Sequence, residues 1–445
     1  MSMTIVSLRE ALQRLPENAA EAIVSDLFAP HLLRALGFHS EEIYPEYNTG
    51  HGNVDKAARK TIGDNVFLHT KSNPYVLLEL KGRDINLSED AAQYQKTVNQ
   101  LKHYLLAPNC KTVQWGIITN SCHIQLFRKH EKVIYPATKC LSIDADNIDK
   151  VIASIRQKIE NPTKALTIAV YNNKGGVGKT TTTVNLAAIL TVLGKKVLAI
   201  DFDPNQQDLT NSLGLPLNHG SVFDALKERD VELQSTIHTY KFPLKRHNIE
   251  LRFDVIPADP ALTNESEPIL RNYLKINTLY RKLELSRQEY DYILIDSPPN
   301  WRVFSQSAVY AADVVLIPTK HNNRFSLENA AMAMKKFIPE VQNKKSDGSP
   351  IPLPIFFNGE KITLPQMSVA QQEINNILKT AKKEGFDLLS YFYPRYTNAK
   401  KDLYIHEVPS YAHIAGAAFS RIPAVYRDRP AHEYYKNLAK EYFLQ

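Results

Sequence analysis

One short segment limits the folds available to this chain more than any other. Residues 174–181 read Lys-Gly-Gly-Val-Gly-Lys-Thr-Thr, between the apolar run ALTIAVYNN and a helical pattern that ends before Gly194. Glycines let backbone N–H groups turn inward around phosphate oxygens, and the following helix adds the positive end of its dipole. The segment therefore predicts a strand, a phosphate-binding loop and a helix. The residues assigned to this loop are Gly175, Gly176, Val177, Gly178, Lys179, Thr180 and Thr181.

Polar side chains that suit phosphate chemistry stand in and near this segment. Lys179 is long enough to reach the β- and γ-phosphates of a nucleotide, and the Thr180 hydroxyl is a ligand for Mg²⁺. Asp201 and Asp203 end the run KVLAIDFD, and Asp296 ends DYILID. Carboxylates at strand ends hold a metal-bound water or orient an attacking water, although they also cap helices. The residues alone leave open which aspartate does which.

Short β-rich runs alternate with amphipathic helices from Ala165 onward, and the further runs DVVLIPT and PIFFN predict strands as well. This alternation predicts an α/β fold with a doubly wound, mostly parallel sheet. Upstream, a helix over residues 17–36, a helix over 88–105 and the strands YVLLELKGRDI, QWGIITN and CHIQLFRK predict a mixed α/β domain. The predicted boundaries are 1–144 for the first domain, 145–163 for a helical linker and 164–445 for the second domain.

Residues 165–445 resemble the ParA/MinD family of P-loop ATPases. The resemblance rests on Lys174 at the head of the loop, TVNLAAIL after it, the FFN run, the segment YPRY…HEVPSY and the final AHEYYKNLAKEYFLQ. It implies that the chain binds ATP with Mg²⁺ and hydrolyses ATP to ADP and phosphate. It further implies an ATP-bound homodimer, in which Lys174 reaches the phosphates of the partner.

The resemblance also implies roles for single residues. It implies that Asp203 positions the hydrolytic water and that Asp296 lies on the Mg²⁺ side, with Asp201 as a further candidate metal ligand. It assigns Asn358, in the FFN run, to contact with adenine, and Pro409 to the same nucleotide site.

Partition ATPases of this family bind DNA without sequence preference, through basic residues of the ATP-bound dimer. The resemblance assigns Arg395 to this role most directly, and basic density adds Lys400 and Lys401. A net charge of +7, from 54 basic and 47 acidic residues, permits DNA binding, but a solvated charged surface remains the alternative. The runs DFDPNQQD and HNNRFSLEN depart from the forms common in the family, which leaves hydrolysis rate and a possible activating partner protein open.

A second group of polar residues lies in the N-terminal part. Glu79 and Lys81 share one face of their strand because side chains alternate along it, and Asp55 stands 24 residues before Glu79. Two carboxylates that hold Mg²⁺ and a lysine that orients water or stabilises negative charge would suit phosphodiester cleavage. A chance cluster of surface charges is the alternative for so short a pattern.

Three more residues extend this pattern. Glu21 lies on the preceding predicted helix, and Gln100 and Tyr104 lie four apart, on one face of the later helix. With the run GIITNSCHIQLF, they resemble the PD-(D/E)xK nuclease fold, specifically the N-terminal domain of type I restriction R subunits. The resemblance implies that Asp55 and Glu79 bind metal, that Lys81 is catalytic, and that the other three line the site. An inactive relative that only binds DNA remains the alternative.

Composition excludes several classes of protein. There is no run of about 18 or more apolar residues and no apolar core near the N-terminus, so we expect neither a membrane span nor a signal peptide. Three cysteines are too few for a disulfide framework, and we expect free thiols in a cytoplasmic protein.

These observations favour an ATP-driven, DNA-handling enzyme with an N-terminal Mg²⁺-dependent nuclease-like domain. Such a protein would serve defence against foreign DNA or the maintenance of a mobile element. The main alternative is a DNA partition or positioning ATPase whose N-terminal domain is a non-catalytic adaptor or DNA-binding module. A third possibility is an ATPase switch that acts on a partner protein without DNA.

Overall fold

The computed structural model describes residues 6–244, 249–396 and 401–445. The chain forms two compact units that divide after Pro162, and the first unit also takes in residues 346–348 and 443–445. Among the described helices, none combines the length and the apolar character that crossing a membrane requires.

The first unit is built on a mixed sheet. Its strands are β1 (Ile43–Asn48), β2 (Asn53–Ala58), β3 (Val76–Leu80), β4 (Trp115–Thr119), β5 (His123–His130), β6 (Val133–Pro136) and β7 (Leu141–Ser142). The order is β1-β2-β3-β4-β5-β6, with β7 beside β5. β3 and β4 run parallel, which requires a crossover, whereas the other neighbours are antiparallel. The predicted mixed α/β domain is confirmed.

The helices of the first unit differ from the expected pattern in one place. They are α1 (Leu8–Gln13), α2 (Glu21–Leu27), α3 (Ala29–Ala35), α4 (Phe67–Thr70), α5 (Ala92–Leu105) and α6 (Ile148–Glu160). The single helix predicted over residues 17–36 is wrong, because the chain forms α2 and α3 with a junction at Phe28. Pro30 lies in the first turn of α3, where its missing N–H costs least.

Helix α6 belongs to the core of the first unit. Its residues Ile148, Ile152, Ile155 and Ile159 recur at helical spacing and are buried in one cluster with Leu78 and residues of α1 and α3. The segment predicted as a helical linker, residues 145–163, therefore contributes a core helix instead.

The second unit is built on a mostly parallel sheet. Its strands are β8 (Leu166–Val170), β9 (Val197–Asp201), β10 (His238–Leu244), β11 (Ile249–Ile256), β12 (Tyr292–Asp296), β13 (Val314–Leu316), β14 (Pro318–Thr319), β15 (Ile351–Pro352), β16 (Phe356–Gly359) and β17 (His406–Pro409). The main sheet has the order β10-β11-β9-β12-β8-β13-β15, and all neighbours except β10 and β11 are parallel.

Helices cover both faces of this sheet. The helices of the second unit are α7 (Lys179–Val192), α8 (Asp208–Leu213), α9 (Ser221–Lys227), α10 (Glu267–Tyr273), α11 (Thr278–Lys282), α12 (Glu284–Glu289), α13 (Val303–Ala311), α14 (Arg324–Met332), α15 (Ile338–Lys344), α16 (Leu364–Lys383), α17 (Leu389–Phe392), α18 (Ala412–Ser420) and α19 (Arg429–Tyr442). The β8–α7–β9 and β12–α13–β13 crossovers run in opposite directions along the sheet. Right-handed crossovers therefore place α7 and α13 on opposite faces, and the predicted doubly wound fold is confirmed.

Two features of the second unit were not expected. The PIFFN run forms β16, which pairs with β14 and β17 in a separate small sheet and not in the main sheet. In addition, β10 and β11, two strands that were not predicted, form an antiparallel pair at one edge of the main sheet.

The position of α6 leads to a prediction about stability. Replacing Ile155 by Ala removes a buried side chain and leaves a cavity, so the free energy of unfolding of the first unit should fall by about 2–5 kcal/mol. Urea unfolding followed by the fluorescence of Trp115, in a Trp301→Phe background, measures this unit. The exposed Gln157→Ala on the same helix is the control. Equal stabilities for the two variants would show that α6 is a linker.

Candidate functional sites

The phosphate loop joins β8 to α7. Gly176 and Gly178 have φ of +72° and +83°, in the left-handed region that glycine adopts without strain. Lys179 Nζ donates to the carbonyl oxygen of Lys174 at 3.2 Å, so the ammonium group lies across the loop. Burial lowers the pKa of Lys179, and the carboxylates of Asp296 and Asp203 oppose that shift. A buried cation beside a glycine-rich loop suits an anionic ligand.

Asp296 stands where three parallel strands end at the same level. It pairs in register with Val170 of β8 and with Asp201 of β9. Its Oδ2 accepts a hydrogen bond from Thr180 Oγ1 at 2.7 Å, while its buried Oδ1 has no hydrogen-bond partner within the described residues. Burial raises the pKa of Asp296 to about 8, and the charge of Asp201 adds to the shift. The Thr180 and Asp296 oxygen atoms would fit a divalent cation, whose positive charge would stabilise the ionised form of Asp296.

The other two aspartates are held in place by hydrogen bonds. Asp201 Oδ2 accepts from the side chain and the backbone of Thr210, at 2.7 and 2.9 Å, and its Oδ1 accepts from the N–H of Asp203 at 3.4 Å. Asp203 accepts two backbone N–H groups of the turn that follows it. Burial raises the pKa of Asp201, to about 6, and that of Asp203 as well. Both oxygens of Asp201 thus accept hydrogen bonds, whereas Asp296 keeps one oxygen without a partner within the described residues. No pattern in the sequence pointed to Thr210.

Asn358 and Pro409 lie on neighbouring strands of the small sheet, where Gly359 pairs with Pro409. The Asn358 side chain points to the phosphate loop and donates to the carbonyl oxygens of Val177 and Gly178. The structure therefore places Asn358 against the loop itself, a contact that the sequence did not predict.

The predicted DNA-binding residues have different surroundings. Arg395 Nη2 donates to both carboxylate oxygens of Glu441, at 2.8 and 2.9 Å, and its guanidinium lies 3.8 Å from the centre of the Tyr404 ring. DNA would have to compete with these partners. Lys401 is exposed, and Lys400 lies outside the described residues.

The first unit brings the predicted nuclease-like residues together at the ends of β2 and β3. Lys81 Nζ donates to Glu79 Oε1 at 2.7 Å and to Glu21 Oε2 at 3.2 Å. Asp55 Oδ2 accepts from the backbone N–H of Leu80 at 2.6 Å. However, no group of three or more His, Cys, Asp or Glu side chains in the described parts of the chain is arranged to hold a metal ion.

The electrostatics of this cluster reflect crowded carboxylates. Burial raises the pKa of Glu79 to about 7, the hydrogen bond from Lys81 opposes the shift, and the charge of Asp55 adds to it. Burial likewise raises the pKa of Asp55, against the bond from Leu80. Burial acts to lower the pKa of Lys81, but the carboxylates of Glu79 and Glu21 raise it overall. The buried Glu79 and the half-buried Asp55 are two acids beside each other, and they would gain from a bound cation.

Of the remaining residues in this region, two were predicted from the sequence and one was not. Gln100 Nε2 donates to the Tyr104 hydroxyl at 3.2 Å, as their spacing on α5 predicts. β1 pairs Pro45 with Lys56 and Tyr47 with Val54, on either side of Glu46 and Asp55, and the charge of Glu46 raises the pKa of Asp55 further. Glu46 also has a φ of +46°, which is unusual for a residue with a side chain. The β1–β2 hairpin was not predicted, so no sequence signal pointed to Glu46.

The raised pKa of Asp296 predicts how stability depends on pH. The folded protein without nucleotide keeps a proton that the unfolded chain releases above pH about 4, so stability falls as pH rises from about 4 to about 8. Asp296→Asn should flatten this slope and raise the melting temperature at pH 8 by about 2–4 °C, a gain of about 1 kcal/mol. Thermal unfolding at several pH values measures both effects, with the exposed Asp230→Asn as control. A lower melting temperature for Asp296→Asn at pH 8 would contradict the prediction.

Known proteins match both parts of the chain. Residues 165–349 match the family model of an AAA domain, and residues 20–139 match that of the type I restriction enzyme R protein N terminus. The sporulation initiation inhibitor protein Soj of Bacillus subtilis is 39% identical over 155 residues, which are 34% of this chain and 57% of Soj. The chromosome partitioning protein ParA of Myxococcus xanthus is 37% identical over 154 residues, 34% of this chain and 50% of that protein.

The chain thus spans about half the length of the curated relatives that it matches. Among solved structures, the ATP complex of a Cyanothece McdA variant is 20% identical with a TM-score of 0.48, and covers 64% of this chain and 98% of that one. The resemblance drawn from the motifs is confirmed: residues 20–139 are similar to the type I restriction enzyme R protein N terminus, and the part from residue 165 onward is similar to an AAA domain and to the Soj and ParA proteins.

Proposed function

We propose that this protein is an ATP-hydrolysing, DNA-binding ATPase that dimerises on ATP and carries a metal-dependent nuclease domain. The observation that carries the ATPase proposal is the Thr180–Asp296 hydrogen bond at the mouth of the phosphate loop, beside an Asp296 oxygen without a partner within the described residues. A nucleotide with its Mg²⁺ would satisfy both groups. The Soj and ParA relatives support the same assignment.

The polar residues in and beside the phosphate loop have separate roles in this proposal. Lys179 turns from the Lys174 carbonyl oxygen to the β- and γ-phosphates, where its charge offsets the charge of the transferred group. Thr180 and Asp296 hold Mg²⁺, which would neutralise the phosphates, and Asp203 orients the attacking water. Lys174 is half-buried at the head of the loop and would reach the phosphates of the second protomer.

Removing the Lys179 ammonium group tests the ATPase. Lys179→Ala should reduce the rate of ATP hydrolysis about 100-fold or more, because the charge on the γ-phosphate loses its main protein partner. Phosphate release measured with Mg²⁺, with and without DNA, gives the rate. The exposed Lys379→Ala, on α16 of the same unit, is the control and should keep the wild-type rate. Hydrolysis that persists in Lys179→Ala would reject the assignment of this loop as the catalytic site.

The nuclease proposal rests on the ion pair between the buried Glu79 and the half-buried Lys81, beside Asp55. Asp55 and Glu79 would hold a divalent ion, which would polarise the scissile phosphate of DNA. Lys81 would exchange its contact with Glu79 for the attacking water or the phosphate. Glu21 accepts from Lys81 and would position it, while Gln100 and Tyr104 line the site.

A pH profile of DNA cleavage tests this proposal. Metal binding needs the ionised carboxylate, and the pKa of Glu79 is about 7, so cleavage with Mn²⁺ should rise between pH 6 and pH 8. Glu79→Gln should lower cleavage about 100-fold or more. Glu42→Gln is a matched control, because Glu42 is a buried glutamate of the same unit, 4% exposed against 2% for Glu79. Cleavage by Glu79→Gln at the wild-type rate would reject the nuclease.

Two observations favour the alternative of a partition or positioning ATPase with a non-catalytic N-terminal domain. Lys81 is bonded to both Glu79 and Glu21, and no trio of metal-ligating side chains is assembled within the described residues. Absence of cleavage under all metal and pH conditions, with ATP-dependent DNA binding intact, would support this alternative.

We further propose that the protein acts in defence against foreign DNA or in the maintenance of a mobile element, because its two parts are similar to a restriction-type domain and to a partition-type ATPase.

A further inference from the structure

A polar groove with a volume of about 610 Å³ lies on the first unit. Its walls are β1, residues 71–73 after α4, and residues 108–112 between α5 and β4. Most of the residues that line it are exposed, so the groove is open to solvent. An open groove suits a chain that continues beyond it, whereas small ligands are bound in pockets that enclose most of their surface.

Hydrogen bonds between the walls hold the groove in shape. The Tyr47 hydroxyl donates to the carbonyl oxygen of Asn109 at 3.2 Å, and Asn109 Nδ2 donates to that of Asn48 at 3.1 Å. The Thr112 hydroxyl donates to the carbonyl oxygen of Pro74 at 3.0 Å. The groove is therefore formed before any ligand binds, which lowers the entropic cost of binding.

Two lysines supply positive charge to the groove. The Lys71 ammonium lies 4.7 Å from the centre of the Tyr44 ring, and the attraction between them keeps Lys71 at the groove wall. Lys111 belongs to the wall formed by residues 108–112. Both lysines are exposed, and neither forms an ion pair with a described residue. Their charges are therefore available to an anionic ligand.

The groove also offers neutral hydrogen-bond donors. Asn48 Oδ1 accepts from the backbone N–H of Gly50 at 2.8 Å, which leaves the NH₂ group of Asn48 available to donate. The side chains of Ser72 and Asn73 line the same groove and have no hydrogen-bond partner among the described residues. Phosphate oxygens take hydrogen bonds from lysines, side-chain amides and hydroxyls, and the groove presents all three groups.

Glu46 connects this groove with Asp55, Glu79 and Lys81, the nuclease-like cluster. Glu46 lines the groove, and the pairing of β1 with β2 on either side of it makes it a neighbour of Asp55 across the two strands. It is the acidic residue among those that line the groove, and a metal ion at Asp55 would offset its charge. The groove therefore borders on the nuclease-like cluster.

We propose that this groove binds one phosphodiester strand of DNA and leads it to the nuclease-like cluster. Lys71 and Lys111 contact the phosphates, and the amide groups of Asn48 and Asn73 donate to phosphate oxygens. Contacts to phosphates carry no base information, so the groove takes DNA without sequence preference. This inference rests on the proposed nuclease function and adds the surface that holds its substrate.

Variants of the full chain that lose charge test the groove. Anisotropy of a fluorescein-labelled single-stranded oligodeoxynucleotide, without ATP and with Ca²⁺ in place of Mg²⁺, measures binding without cleavage. Lys71→Gln combined with Lys111→Gln should weaken binding about tenfold. The slope of log affinity against log salt should fall by about 1.4, because each phosphate contact to a single strand contributes about 0.7. Lys71→Arg combined with Lys111→Arg keeps both charges and should keep the affinity.

A second measurement is local to the groove. Acetylation of lysines, followed by mass spectrometry, should slow at Lys71 and Lys111 when the DNA is bound and should stay unchanged at Lys150. Lys150 is exposed on α6 of the same unit, so Lys150→Gln is also the control for the loss of one charge. Because this readout is specific to each lysine, it separates the groove from DNA binding by the second unit.

Three results would overturn the proposal. The wild-type affinity and salt slope in the double Gln variant would show that the two lysines contact no phosphate. Equal acetylation of Lys71 and Lys111 with and without DNA would place the DNA elsewhere, and tighter binding of the same sequence as RNA would exclude DNA as the preferred ligand.

The nuclease and the groove can fail separately. Cleavage that depends on Glu79, together with any of these three results, would overturn the groove and leave the nuclease standing. Protection of Lys71 and Lys111 by DNA in a protein that cleaves no DNA would support the groove and reject the nuclease.

Discussion

The pairing of β8, β9 and β12 in parallel register brings carboxyl groups to one edge of the sheet. Asp296 ends its strand level with Asp201 and with Val170, where the phosphate loop begins. Burial makes the ionised form of Asp296 costly, and Lys179 is the nearby cation that opposes this cost. This edge of the sheet positions the loop glycines, the Thr180 hydroxyl and the start of α7. A site of this kind gains stability when a nucleotide and a cation enter it.

The first unit balances its buried charge with its own groups. Its one parallel pair within the described strands, β3 and β4, requires the crossover that contains α5, and β3 carries Glu79 into the interior. Lys81 offsets the charge of Glu79 while no metal ion is bound. Lys81 and a metal ion would compete for the Glu79 carboxylate, so the protonation and pairing of Glu79 would set how readily the unit could bind metal.

Local patterns in the sequence were sufficient to predict the parts of the fold that depend on neighbouring residues. The phosphate loop, its flanking strand and helix, and the carboxylates at strand ends all follow from short spacings. Contacts between distant segments were not predictable: the bond from Thr210 to Asp201, the Asn358 contacts with the loop and the position of Glu46 beside Asp55. The separate pairing of β16 and the burial of α6 likewise depend on tertiary packing, which a single sequence does not encode in its local pattern.

The most direct test of this account is calorimetry of ATP binding, with Mg²⁺ and with EDTA, in two buffers of different ionisation enthalpy at pH 7. The account predicts that ATP affinity falls at least about tenfold without Mg²⁺, and that binding with Mg²⁺ releases a proton, because Asp296 must ionise to hold the ion. Equal affinity in both conditions and no proton release would contradict the assignment of Thr180 and Asp296 as the cation site.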